Sequence, residues 1–253
     1  MPLHEEHEAI QIRGSQVREI TEAVCLEDTF RLYLNDIALA QVIASPMQLH
    51  EFGAGFVVCE GLTDEISEVR VVNNDIRVYA ATSPKVDYEL RSSGCIGVRG
   101  LPKRVDSSLV IDPSMVLQVI GQIESDAWRK TGGVHSSVLF LNGQPLCSSS
   151  DIGRHNTIDK VVGHAVLNGV DRSRCVIGCT GRQPAGMISK VANAGVPIVV
   201  SKAAATDAGI RLADRSNVTL VCFARGERFT IYTHPERLQG VLRAERLHGL
   251  SQG

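Results

Sequence analysis

The chain has 253 residues, 43% hydrophobic and 21% charged, and its 26 basic and 28 acidic side chains leave a net charge of −2. This is the composition of an ordinary soluble globular protein with a sizeable core, and it excludes a chain-wide basic footprint for nucleic acid or a membrane surface. Any anion site must therefore be a local cluster. No apolar run reaches about 18 residues, so no spanning helix is expected. The polar, acidic start Met1-Pro2-Leu3-His4-Glu5-Glu6-His7-Glu8 argues against a signal peptide. The seven cysteines, at 25, 59, 95, 147, 175, 179 and 222, are odd in number and mostly set in apolar surroundings. They read as reduced, buried thiols of a cytoplasmic protein rather than as a disulfide framework.

Residues 1–15 read as a loose or edge-strand lead-in, and from Gln16 to about Leu90 the β signal dominates. Residues 29–34, an Asn35-Asp36 turn and residues 37–40 predict a hairpin. Ser45-Pro46 offers an N-cap and a first-turn proline, which predicts a short helix over 47–52. Gly53 and Gly55 then lead on to Phe56-Val57-Val58-Cys59-Glu60-Gly61. Residues 66–72, 76–81 and 86–90 are further strand candidates, so a smaller, mostly β N-terminal domain is expected over 1–110.

Residues 91–105 change character. Gly94, Gly97 and Gly100 share this stretch with Arg91, Arg99, Lys103 and Arg104, the composition of a mobile electropositive loop. Cys95 is the one cysteine of the seven in such a setting, where nearby cations favour the thiolate. A linker with an incidental cysteine has the same composition.

Beyond the loop the periodicity becomes α/β. Asp112-Pro113 opens a helix to about Arg129, broken by Thr131-Gly132-Gly133. Residues 134–141, Asn142-Gly143 and 144–149 form the clearest hairpin in the sequence. A helix capped by Asp151 and running to Leu167 follows. Strands at 175–179, 196–200, 218–223 and 228–232 then alternate with helices at 184–194 and 206–215, and a last helix is expected over 235–247. This order implies a three-layer α/β domain over 111–253.

The densest chemistry lies in Asp151-Ile152-Gly153-Arg154-His155-Asn156-Thr157-Ile158-Asp159-Lys160, where a strand hands over to a helix. His155 and Asp159 would share a helix face flanked by Arg154 and Lys160. Two readings stand, a solvated charged face or an anion site built on the helix N-terminus. The element order is like that of the zinc cytidine deaminases, in which this helix starts with a ligand histidine followed by a glutamate and the next with Pro-Cys-x-x-Cys. Here His155-Asn156-Thr157 lacks the glutamate and Pro184-Ala185-Gly186 lacks both cysteines. Cys175 and Cys179, inside one strand, would stand about 13 Å apart. Zinc is therefore not expected.

Cations take the place of the metal. Arg154, Arg182, Lys190, Lys202, Arg225 and Arg228 fall near predicted strand ends or helix starts, where arginine forks and helix amides suit phosphates. Phe223-Ala224-Arg225-Gly226-Glu227-Arg228 places a ring, two guanidiniums and a carboxylate in one turn. A carboxylate suits the N1–H and amino group of guanine, and a tight hairpin with solvated charges explains the run equally well.

These blocks carry a resemblance. Phe52-Gly53-Ala54-Gly55-Phe56-Val57-Val58-Cys59-Glu60-Gly61 resembles the GFL-x-x-EG signature of the formate dehydrogenase accessory protein FdhD family. Thr131–Ser136, Asp151–Lys160, Thr180-Gly181-Arg182 and Phe223-Ala224-Arg225-Gly226 are similar to its remaining blocks, in the family's order, over about residues 25–235. The Gly153-Arg154-His155-Asn156-x-x-Asp159-Lys160 block is the most specific.

The resemblance implies a cytoplasmic sulfurtransferase with a cytidine deaminase-like fold, usually a homodimer. It would take persulfide sulfur from a cysteine desulfurase and pass it to the molybdenum or tungsten bis(molybdopterin guanine dinucleotide) cofactor of a formate dehydrogenase. The persulfide carrier maps onto Cys95 and the cofactor-binding segment onto Phe223, Ala224, Arg225, Gly226, Glu227 and Arg228. Arg154, His155 and Arg182 would border the same pocket. One departure matters: the well-known bacterial members have Cys-x-x-Cys in the loop, and here position 98 is Val98. A single thiol still suffices to carry a persulfide. Without the second, a non-catalytic cofactor-binding chaperone is the competing reading.

Overall fold

The computed structural model describes residues 3–81, 88–90, 96–98 and 102–241. Of the two readings of the lead-in the edge strand holds: it is half of a long hairpin, β1 (His4–Arg13) with β2 (Gln16–Cys25), turned by Gly14 at φ +63°. Alternation there is mostly polar, so sequence alone offered no buried face to read. β3 (Asp28–Leu34) and β4 (Ile37–Ala44) form the expected hairpin through Asn35-Asp36, both at positive φ.

The predicted helix over 47–52 is displaced and nearly twice as long. α1 (Leu49–Cys59) starts after Gln48 and runs straight through both glycines. Their job is close approach. A Cβ on Gly53 would sit 2.5 Å from Ile76, and one on Gly55 only 1.7 Å from the carbonyl oxygen of Asp159. β5 (Glu68–Val72) and β6 (Asp75–Tyr79) complete a sheet of order β4-β3-β6-β5, in which β3 and β6 are parallel. β7 (Tyr88–Leu90) and β8 (Ile96–Val98) pair antiparallel.

The single helix expected after Asp112 is two. Asp112 caps α2 (Pro113–Gln122) by accepting from the Ser114 N–H, and Ser125 caps α3 (Asp126–Thr131) through the Trp128 N–H. β9 (His135–Leu141) and β10 (Gln144–Asp151) make the predicted hairpin, with a bulge at Pro145/Cys147. α4 (Arg154–Leu167), β11 (Cys175–Cys179), α5 (Ala185–Asn193), β12 (Ile198–Ser201), α6 (Asp207–Arg215), β13 (Thr219–Arg225) and β14 (Arg228–Thr233) follow. Beyond β14, Pro235–Arg237 is a short 3-10 turn rather than the start of a long helix, and residues 242–253 lie outside the described ones.

These strands build a six-stranded mixed sheet, β10-β9-β11-β12-β13-β14, parallel across β11, β12 and β13. Its central strands are near-continuous apolar runs, as strands buried on both faces are, and successive side chains go to opposite faces. Val138, Phe140, Val176, Ile198, Val200 and Val221 pack under α2. Leu139, Ile177, Val199 and Leu220 face the opposite way, toward α4, α5 and α6. That second core is continuous with Phe30, Leu32, Leu34, Ile76 and Val78 of the smaller sheet, and α1 lies between. Among the described residues no helix is long and apolar enough to cross a membrane.

Candidate functional site: a cationic cleft at the strand ends

Parallel strands deliver their following loops to one edge of a sheet, where α/β proteins form their crevices. Here β11 delivers Thr180, β12 Lys202 and Ala203, and β13 Arg225. β9 runs the other way, so its start brings Val134 and His135 to the same edge. Glu124 and Trp128, before and within α3, close the side, with Gly132, Gly133 and Ile152. Together they enclose a cleft of about 500 Å³, room enough for a nucleotide.

The cleft is cationic. Lys202 is paired with Glu124, and its ammonium also stands 5.8 Å from the centre of the Trp128 ring. The Arg225 Nε donates to the Lys202 carbonyl at 3.0 Å, so both cations are anchored to the end of β12. His135 Nδ1 lies 3.1 Å from the Thr180 hydroxyl. Burial, with Arg154 and Arg182 nearby, holds the His135 pKa below its ordinary value, partly offset by Asp151. Burial and the Arg182 charge likewise lower that of Arg154. Gly181 lets Arg154 past: a Cβ there would meet the Arg154 Cβ at 2.8 Å.

The Asp151–Lys160 stretch divides into two roles. Its first part borders the cleft through Ile152 and the Arg154 charge, with His155 half-buried. Its remainder is core, which removes the solvated-face reading. Asp159 and Lys160 are 1% and 0% exposed. Lys160 Nζ pairs with Asp151 at 2.6 Å, and Lys190 pairs with Asp159 at 2.7 Å and Glu60 at 2.6 Å. Nor does Asp151 cap the helix, whose N-cap is Gly153. Its carboxylate instead accepts from Ser45 N, Gly153 N, Asn156 Nδ2 and Lys160 Nζ, and so is fully satisfied.

Of the 223–228 run, Arg225 alone lines the cleft. Phe223 is half-exposed, in the left-handed region at φ +51°, and Ala224 is buried under the sheet. Gly226 and Glu227 form the exposed β13–β14 turn, and Arg228 pairs across it with Arg225. Arg182 and Arg154 act on His135 together, and His155 faces the start of α5, where a Cβ on Gly186 would lie 3.6 Å from its Nε2. Cys95 lies outside the described residues. Glu124 and Trp128 carried no motif; only the break between α2 and α3 sets them at the cleft.

Five of the other thiols are ill suited to reaction. Burial pushes Cys147 and Cys222 up to about 12 and Cys175 and Cys179 up to about 11, and raises Cys59 strongly. Cys25 is half-exposed at the end of β2, its Sγ 3.6 Å from the Gly133 carbonyl.

Comparison with known proteins fits this geometry. A Methanothermobacter thermautotrophicus protein named sulfur carrier protein FdhD is 33% identical over 94% of this chain and 100% of its own. A Bacillus subtilis protein of the same name is 29% identical over 88% and 93%. A crystal structure from Desulfotalea psychrophila, described as a formate dehydrogenase accessory protein, superposes with a TM-score of 0.79 at 29% identity, covering 94% and 100%. The FdhD/NarQ family matches residues 25–239, and the chain belongs to that family.

Proposed function

We propose that this chain is a cytoplasmic sulfur carrier for a formate dehydrogenase. A thiolate at Cys95 attacks the outer sulfur of a cysteine desulfurase's persulfide; the S–S bond breaks, the donor leaves as a thiolate, and Cys95 holds the sulfur. The acceptor is a molybdenum or tungsten bis(molybdopterin guanine dinucleotide), bound here as substrate. The observation that carries this reading is the cationic cleft. Lys202 and Arg225 are anchored at one strand end, with Arg154 and Arg182 beside His135, a donor set that fits diphosphate groups. The names of the relatives and the raised pKa values of the buried thiols support it. We read the layering as cytidine deaminase-like, and the working form as a homodimer.

Delivery of the outer sulfur as sulfide takes two electrons, which a second loop thiol would give by closing a disulfide onto Cys95; with Val98 in that place an external thiol must give them, forming the disulfide with Cys95 instead. That observation favours a second reading, a chaperone that binds the guanine dinucleotide cofactor without sulfur chemistry. Mass spectrometry after incubation with a desulfurase and cysteine separates the two. The carrier acquires a one-sulfur adduct that Cys95→Ala lacks, and Cys95→Ala abolishes formate dehydrogenase activity while cofactor binding persists. No adduct, with full activity in Cys95→Ala, leaves the chaperone.

A further inference from the structure

A second concave site shares no lining residue with the cleft. Residues 102–105, the end of the cationic stretch that holds Cys95, run as a strap beside α6 and are tied down there. The Lys103 N–H donates to the buried Asn193 side chain at 3.0 Å, the Val105 N–H to the Ser216 carbonyl at 2.9 Å, and Asn217 Nδ2 to the Val105 carbonyl at 2.8 Å. Between strap and helix lies a groove of about 470 Å³. Its lining carries the cations Lys103, Arg104, Arg211 and Arg215 and no acid. Lys103 is paired with Asp64, and Arg211 with Asp207 at 2.9 Å. Arg104 and Arg215, both exposed, have no partner for their guanidiniums among the described residues.

We infer that this groove is the docking surface for the protein that hands sulfur to Cys95, and that it seats an acidic segment of that partner with an aliphatic side chain on the groove floor. This rests on the sulfur-carrier reading. Three observations carry it. The whole chain stands at −2, so four cations around one concavity make a local positive field that steers an acidic partner to this face. The two unpartnered guanidiniums are forks that match carboxylates. The floor is Pro102, Ala208 and Leu212, and no aromatic ring lines the groove. That fits an aliphatic side chain and gives the bases of a nucleic acid nothing to stack on. Chain length supplies the third. Pro102 is seven residues beyond Cys95, and at about 3.5 Å per residue their Cα atoms stand at most about 25 Å apart. An interface of ordinary size covers about 800 Å² per partner, a patch about 30 Å across. A protein seated in the groove therefore has Cys95 within reach of its own surface.

The test pairs the full chain with a purified cysteine desulfurase, reading the association rate by surface plasmon resonance and the one-sulfur adduct by mass spectrometry. Arg104→Glu/Arg215→Glu lowers the association rate about tenfold or more at low ionic strength. The unaltered chain loses most of that advantage as salt rises. The variant gains its adduct correspondingly more slowly from the desulfurase, yet at the unaltered rate from free cysteine persulfide, which needs no docking. Arg13→Glu/Arg18→Glu makes the same change of net charge on the exposed β1–β2 hairpin and associates like the unaltered chain. Unchanged association in the groove variant, or an equal fall in both variants, overturns the proposal. So does an effect confined to self-association in sedimentation, which makes the groove an interface between copies of this chain. Loss of binding to a single-stranded oligonucleotide, with desulfurase binding intact, overturns it in favour of a nucleic acid. If Cys95 takes sulfur from neither donor, the sulfur-carrier reading fails by itself, and the association rates alone decide whether the groove docks the desulfurase.

Discussion

Asp151 and Lys160 are joined by a 2.6 Å ion pair with neither side chain exposed to solvent. Lys160 also donates to the Ser45 carbonyl, and Asp151 accepts from the Ser45 N–H, so the pair clamps the end of β4 and the approach to α1 onto the turn from β10 into α4. Burial depresses the lysine pKa and the Asp151 charge supports it. Breaking such a pair strands the surviving charge in a low dielectric. Lys160→Met should cost about 3–5 kcal/mol in urea unfolding. The double variant Asp151→Asn/Lys160→Met should recover part of that loss, since no net charge remains buried.

The crossing of α1 and α4 makes a second expectation. A Cβ on Gly163 would lie 1.8 Å from the Glu51 carbonyl oxygen, and Gly55 is equally tight against Asp159. Backbone atoms cannot step aside as a side chain can. Gly163→Ala should destabilise by about 3 kcal/mol or more. Gly121, inside α2 with open space around it, is the contrast. Gly121→Ala should stabilise by about 0.5–1 kcal/mol, and parallel chemical denaturation checks both.

His135 should leave a mark on the pH dependence of stability. Its folded pKa lies below the ordinary 6.5 because of burial and the neighbouring arginines. As pH falls through the ordinary value, the unfolded chain takes up a proton that the folded chain does not. Stability therefore drops toward acid and is unaffected by this group above that range. The difference between the unaltered chain and His135→Gln, in melts from pH 5 to 8, should grow only on the acid side.

Thiol labelling tests the burial of the cysteines. In the native protein iodoacetamide should modify Cys25 ahead of Cys59, Cys175, Cys179 and Cys222, which burial keeps as neutral thiols. Peptide mapping before and after denaturation reads the order. Equal rates at Cys222 and Cys25 in the native state would contradict the assignment.

Much of this architecture was legible in the sequence. Apolar runs of four to eight residues with turn residues between them located β9 through β14 within a few positions, because burial on both faces leaves a strong signal. Only the first turn of α1 was legible, since Gly53 and Gly55 are poor helix formers and only the opposing backbone explains them. The charges in Asp151–Lys160 misled in a different way. Periodicity places a charged residue on a face without saying whether a partner from elsewhere in the chain waits there, as Lys190 does for Asp159 and Glu60. The most specific blocks of the sequence are thus partly core architecture. Glu124 and Trp128 reach the cleft only through tertiary folding.

One irregularity in β13 has a consequence for what this protein displays. Between Cys222 and Arg225 the pairing with β14 slips, so two residues, Phe223 and Ala224, stand against one, and Phe223 takes a left-handed backbone. Side chains in a strand obey an odd–even count, and the slip resets that count immediately before Arg225. Which residue of the run reaches the cleft is thus a matter of parity in the main chain. A single deletion at 223 or 224 would hand the position to another side chain with the strand itself unmoved.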